Sequence, residues 1–228
     1  MKIVQAPNPN WRPGELVASP VKEMVSINPT SLGVAATYRL MVGAITPRPI
    51  AFVSTLNENG SVNAAPFSFF NGVSSNPPAL MFSIGFTSKG TKKDTLRNIE
   101  RSKEFVVNSV AEWMVEPMNF CSAEYPYGMS ELEIAGLGTI ASEVVAPPRI
   151  KESPLHFECR LHSLQQVGKE EAGAAVVVIG EIVRIHVSKT AWQDGHIVAE
   201  ALKPIARLGD KRYCSVESAF ELARPRLP

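Results

Sequence analysis

Between residues 46 and 85 the apolar positions gather into three short runs, separated by two polar, turn-rich stretches. The first run, Ile50-Ala51-Phe52-Val53-Ser54-Thr55, follows Pro47-Arg48-Pro49. Its short apolar, partly β-branched character predicts a buried strand. Asn57-Glu58-Asn59-Gly60 then predicts a hairpin, because Asn and Gly accept positive φ at little steric cost. Ser61 to Ala65 reads as the return strand, with Pro66 ending it. The second polar stretch, up to Asn76-Pro77-Pro78, reads as a long loop before the strand Ala79 to Ile84.

Further along, Asp94 predicts an N-cap for a helix through Ser102, with Leu96 and Ile99 on one face. Strands are expected over 104–110, 139–145, 155–165 and 174–187, the last long enough to bend or bulge. Helices are expected over 111–123 and 198–202. The pattern over 39–44 fits a short helix or a strand equally well. Residues 1–35 carry five prolines and little periodicity, which predicts an extended arm before a domain over 36–215 and a tail over 216–228. Strands dominate and no βαβ alternation occurs, so the expected class is β-rich, with a closed or half-closed barrel hiding its edges.

Composition narrows the partners. The 228 residues carry a net charge of +1 and 45% hydrophobic content, so a sizeable core is expected and no basic stripe points to nucleic acid. The longest apolar run, Ala174 to Ile179, is too short for a membrane span. Met1-Lys2-Ile3 leads into a Pro- and Asn-rich segment with no apolar signal-like stretch, and the three cysteines are unclustered. Both features predict a cytoplasmic protein with reduced thiols.

Two segments are candidates for binding. In Ala65-Pro66-Phe67-Ser68-Phe69-Phe70-Asn71-Gly72 the phenylalanines are either core plugs or a ligand wall, and Ser68 and Asn71 supply polar handles. Alternate side chains of an extended segment point opposite ways, so the three rings cannot share one face. Lys92-Lys93-Asp94-Thr95 is either a solvated charge pair or an anion site at a helix start, where unpaired N–H groups and the helix dipole favour phosphate. Gly136-Leu137-Gly138-Thr139-Ile140-Ala141 matches a dinucleotide fingerprint but runs into a strand-like segment, so that reading is rejected. His156, Glu158, Arg160 and His162 alternate with Leu155, Phe157, Cys159 and Leu161. The spacing excludes a shared metal and predicts a polar face or subunit interface. A lone strand histidine such as His186 reads as structural.

Pro47 to Thr55, Asn63-Ala64-Ala65-Pro66-Phe67-Ser68, Lys93-Asp94-Thr95 and Gly180-Glu181-Ile182-Val183-Arg184-Ile185-His186 together resemble the flavin reductase-like family with an FMN-binding split barrel. Val145 to Ile150 and Arg207-Leu208-Gly209 with Tyr213 extend the resemblance, which spans roughly residues 38 to 215. It implies a six-stranded Greek-key split barrel with peripheral helices, a homodimer, and one FMN per subunit near the dimer interface. It places Arg48, Ser54 and Thr55 on the ribityl-phosphate side, and Asn63, Ala65, Pro66 and Ser68 at the ring edge. Phe69 or Phe70 would pack beside the ring. Lys93 and Thr95 would hold the phosphate, with Asp94 capping the helix.

The resemblance further implies electrons from NAD(P)H passed to free flavin, a monooxygenase partner or a redox-protein acceptor. Hydride transfer to a flavin needs no protein acid or base, so no catalytic side chain is assigned. Typical members carry Gly-Asp-His shortly before the Gly-Glu-Val strand, where this chain reads Ala172-Gly173-Ala174-Ala175-Val176. That departure keeps a flavoredoxin-like electron carrier as the alternative.

Overall fold

The structure, a computed structural model, describes residues 2–225. The ends of the expected arm and tail, Met1 and residues 226–228, lie outside the described residues. Seven strands form the main sheet: β1 (Ala51–Leu56), β2 (Val62–Phe67), β3 (Phe70–Ser75), β4 (Pro78–Gly85), β5 (Glu104–Asn108), β6 (Leu155–Val167) and β7 (Ala175–Val187). Their order is β2-β1-β5-β6-β7-β4-β3, and every neighbouring pair is antiparallel.

The expectation of six strands is corrected to seven, and no hydrogen bonds close the barrel among the described residues. The extra strand is β3, read from sequence as loop. Its Phe-Asn-Gly-Val-Ser-Ser run has no apolar alternation. Pairing with β4, from Phe70 opposite Phe82 to Ser75 opposite Pro78, makes it a strand. Pro66 does not end β2. It pairs with Phe52 at the edge of the sheet, where a missing N–H faces outward and breaks no ladder bond. Phe67 on the edge strand β2 packs in the interior against Phe82 on β4, with ring centroids 5.4 Å apart.

Both faces of β1 are buried, which explains its apolar Ala51-Phe52-Val53 and leaves the Ser54 and Thr55 hydroxyls to be satisfied by hydrogen bonds within the protein. Ala51 and Val53 join the barrel interior with Phe82, Ile84, Phe105, Val107 and Val178. Ile50 and Phe52 pack outward under Met114, Met118 and Leu132. Gly180 on β7 is required by packing, since a Cβ there would stand 2.3 Å from Cζ of Phe105. The undecided 39–44 stretch lies in helix α1 (Val34–Ala44). Helix α2 is Asp94–Ser102, α3 is Val115–Phe120, α4 is Glu131–Ala135 and α5 is Ala199–Leu202. No helix of the described residues is long and apolar enough to cross a membrane.

The expected strand over 139–145 shrinks to Thr139–Ile140, paired with Arg149–Ile150. The backbone beyond it bonds to carboxylates instead. Glu158 accepts from the N–H groups of Glu143 (2.8 Å) and Val144 (2.7 Å), and Glu104 accepts from that of Ala146 (2.9 Å). This also revises the expected polar face on β6. Arg160 and His162 are exposed, but His156 and Glu158 are buried within the subunit. Burial pushes the Glu158 carboxyl up, but its two backbone donors and Nε2 of His186 at 2.6 Å outweigh this and hold it below the usual range.

His156 Nδ1 lies 2.9 Å from Asn108 Oδ1, which also accepts from the Ile150 N–H, so Nδ1 carries the proton. Burial, the largest cause, lowers the His156 pKa from 6.5 to about 4. The unfolded chain therefore takes up this proton near pH 6.5 and the folded protein only near pH 4. Stability from this group is full above pH 6.5 and lost as the pH falls to about 4, by about 3 kcal/mol at most. Glu158, with its depressed pKa, acts in the same direction at lower pH. Urea unfolding across this range is expected to show the decline. His156→Gln is expected to flatten it, and an unchanged slope in that variant refutes the assignment.

Candidate functional site

Helix α2 begins directly after Lys93, which occupies the N-cap position with extended backbone and offers no side-chain cap. Asp94, expected to cap, is the first helical residue instead. Its carboxylate lies 3.7 Å from Arg97 Nη1, and burial raises its pKa against the opposing pull of that arginine. Asp94 and Thr95 N–H groups have no acceptor among the described residues. Lys92 is engaged with Glu100 at 2.8 Å and Glu170 at 4.0 Å. Lys93 is half-buried and forms no ion pair among the described residues.

Beneath this helix start lies a buried polar network. Asn63 Nδ2 donates to Thr55 Oγ1 and Thr95 Oγ1, each at 3.0 Å. Asn98 Nδ2 donates to Thr55 Oγ1 at 3.0 Å and to Asn57 Oδ1 at 2.8 Å. Thr95 is 1% exposed and Asn63 3%. Thr55, Asn63 and Thr95, expected as ligand contacts, thus join α2 to β1 and β2. Ser54 points elsewhere, donating to the Pro148 carbonyl at 2.6 Å. Sequence reasoning missed Asn98. Its signal was a polar residue three positions after Thr95, on the helix face that also buries Leu96 and Ile99.

The outer edge of β2 is partly covered. Glu131, at the start of α4, accepts from the Ala64 N–H at 3.0 Å. Burial raises its pKa, the Ala64 N–H opposes that shift, and Asp94 adds to it. Nothing in the sequence around Glu131 signalled this contact. Ala65 and Phe70 pack against the barrel core.

At the other end of β2 a cleft of about 470 Å³ opens between α1, α3 and residues 207–213. Pro66 and Ser68 line it. Arg48, expected on the phosphate side, is here too, at the opposite end of β1 from Thr55. Its Nη1 donates to the carbonyls of Val42 (2.6 Å) and Ile45, and its Nη2 to that of Leu208 (3.0 Å). Nε reaches Ser68 Oγ at 3.4 Å, and the guanidinium sits 5.7 Å from the Phe69 ring centroid. Burial lowers the Arg48 pKa below its ordinary value. Arg207, unassigned from sequence, stacks over Tyr213 at 4.5 Å, and the Tyr213 hydroxyl donates to Asn119 Oδ1 at 2.7 Å. Burial pushes the Cys121 thiol up to about 12 and raises that of Cys159 further, so neither is a nucleophile at neutral pH.

The model of the flavin reductase like domain matches residues 42–201. The chain belongs to the flavin reductase-like family. The nitrilotriacetate monooxygenase component B of Bacillus cereus superposes with a TM-score of 0.85 at 39% identity, covering 89% of this chain and 100% of its own. The 2-nitrobenzoate 2-nitroreductase of Pseudomonas fluorescens gives 0.79 at 31% identity, covering 90% and 98%. A split-barrel protein described as a flavin reductase from Shewanella frigidimarina gives 0.73 at 24% identity, covering 88% and 96%, and supports the fold. Within the family frame, strand β2 joins two settings. Asn63 is tied to the helix start at one end, and Pro66 lines the cleft roughly 10 Å further on, at about 3.3 Å per residue. The Gly-Asp-His position falls in the β6–β7 hairpin. There the Ala174 carbonyl accepts from the Phe86 N–H, and Glu170 reaches Lys92.

The buried network makes a distinct prediction. Asn63→Ala removes a donor shared by two buried hydroxyls and is expected to cost about 1–3 kcal/mol of stability. Urea denaturation of the ligand-free protein checks this. A loss seen only with ligand bound would make Asn63 a ligand contact and not a structural tie.

Proposed function

We propose that the protein is an FMN-dependent oxidoreductase that takes electrons from NAD(P)H and passes them to free flavin or to a partner acceptor. The observation that carries this reading is Lys93. It is a cation without an ion-pair partner among the described residues, at an uncapped helix start whose first N–H groups are unpaired. That donor set fits a phosphate monoester. The route along β2 ends at Pro66 and Ser68, which offer an apolar surface and a hydroxyl to a flat ring. When bound, the flavin supplies the two-electron chemistry, accepting hydride from the nicotinamide.

The chain's own residues bind and orient. Lys93 and the helix N–H groups would hold the phosphate. The Asn63 amide fixes that helix against the strand carrying the ring-edge residues. Arg48 keeps the cleft wall in place through three carbonyls. The Bacillus cereus neighbour, described as a monooxygenase component, supports a monooxygenase as the acceptor. The reading includes a homodimer. Leu16, Val17, Met24 and Val25 in the N-terminal arm are largely exposed apolar side chains for a partner to cover. A monomeric mass by light scattering at micromolar concentration overturns that part.

Anaerobic mixing with FMN and excess NADH or NADPH is expected to bleach the flavin band within seconds to minutes. If dithionite bleaches it and neither nucleotide does, the protein is a flavoredoxin-like carrier. The altered Ala172 to Val176 stretch favours that second reading.

Lys93→Ala tests the phosphate site. One hydrogen bond to a charged group is worth about 1.5–3 kcal/mol. FMN binding is therefore expected to weaken roughly 10- to 150-fold, with riboflavin affinity nearly unchanged. Equal weakening of both ligands makes Lys93 a support of the fold. No change for either ligand removes it from the site.

A further inference from the structure

The cleft at the far end of β2 holds a charge excess that the flavin phosphate does not use. Arg39, Arg48, Arg207, Lys211 and Arg212 line it, against the single carboxylate of Asp210. Arg48 is engaged with main-chain carbonyls, and Arg207 donates to the Asp210 carbonyl at 2.8 Å. Arg39 and Lys211 are exposed and form no ion pair among the described residues. Arg39, Lys211 and Arg212 all lie outside the matched residues 42–201. The cleft also offers aromatic and apolar surface in Tyr38, Tyr213 and Met118. Its volume of about 470 Å³ falls within the usual range for small-molecule sites.

We propose that this cleft binds the phosphate-bearing adenosine half of NADPH, with Arg39, Lys211 and Arg212 reading the 2′-phosphate, so that NADPH is the preferred electron donor. The proposal rests on the oxidoreductase reading above. A 2′-phosphate carries about −1.5 to −2 charges at neutral pH, and the diphosphate bridge adds to this. Such a ligand matches a net excess of four cations better than a single carboxylate does. The adenine ring has Tyr38 or Tyr213 for a stacking partner. Pro66 and Ser68 belong both to this cleft and to the proposed ring edge, so a dinucleotide seated here would extend its nicotinamide toward the flavin.

Titration calorimetry of the FMN-loaded protein with NADP⁺ and NAD⁺ tests the site without turnover, and adenosine 2′-monophosphate probes the phosphate alone. NADP⁺ is expected to bind at least about 10-fold tighter than NAD⁺, the scale of one charge-assisted hydrogen bond. Arg39→Gln and Lys211→Gln alter exposed side chains that the fold does not need. Each is expected to shrink that ratio, to weaken adenosine 2′-monophosphate, and to lower kcat/KM for NADPH more than for NADH. Raised salt is expected to shrink the ratio in the same way. Equal binding of NADP⁺ and NAD⁺, with either reduced nucleotide still bleaching the flavin, overturns this proposal and leaves the oxidoreductase reading intact. Failure of both reduced nucleotides to bleach overturns the oxidoreductase reading itself. Benzoate binding as tightly as NADP⁺, with the same loss in both variants, makes the cleft an organic-acid site and also overturns the proposal.

Discussion

The side-chain amide of Asn63 sets the geometry on which the rest of the site depends. Its nitrogen has two hydrogens, and both are committed, one to Thr55 on β1 and one to Thr95 in the first turn of α2. Each acceptor is buried, so neither bond competes with water, and loss of the donor would strand the Thr95 hydroxyl and leave that of Thr55 to Asn98 alone. The helix start therefore cannot tilt away from the edge of the sheet without breaking a buried bond. Asn98 braces the same joint from one turn further along, reaching Thr55 and Asn57 together. What remains free at the helix start is its outward-facing equipment: two backbone N–H groups and Lys93.

Arg48 does comparable work at the other end of the strand, by a different route. A buried guanidinium needs acceptors for its donors, and here main-chain carbonyls of the α1 end and of the turn at Leu208 supply them. Two of those carbonyls, of Val42 and Ile45, belong to the C-terminal end of α1, where the helix leaves acceptors unpaired and the dipole favours a cation. One side chain thus joins the end of α1 to the turn at Leu208, 160 positions from Arg48 in sequence, and forms a wall of the cleft. The Arg48 charge is thus engaged in holding the wall, while Arg39 and Lys211 at the mouth form no ion pair among the described residues.

Much of this was legible in the sequence where the signal was local. The Asn57 to Gly60 hairpin, the buried run of β1, the α2 span and the bulging β6–β7 pair follow from turn chemistry, burial and length. The signals failed where tertiary context decided. Strand β3 has no apolar pattern and exists by pairing with β4. Pro66 stays within its strand because that strand is an edge. The segment after Ile140 lost its strand character to the carboxylates of Glu158 and Glu104, residues close in space and not in sequence. Among the site residues, Lys93 and Thr95 were readable as a cation and a hydroxyl at a helix start. That Thr95 faces inward and Lys93 outward depended on Asn63, thirty-two positions away.

The whole-chain charge of +1 conceals how the charges are arranged. Along the β2 edge the structure sets a lone lysine at one end and a group of arginines with one lysine at the other. Between them the Ala64 donor is taken by Glu131, and Pro66 has none to give. The edge is thereby poor in free donors in its middle, with one lysine at one end and several cations at the other. A strand edge in that state is protected from pairing with another chain, since the donors a new strand would need are absent or occupied. Protection of this edge therefore follows from two residues, Pro66 with no donor to give and the buried Glu131 that takes the Ala64 donor.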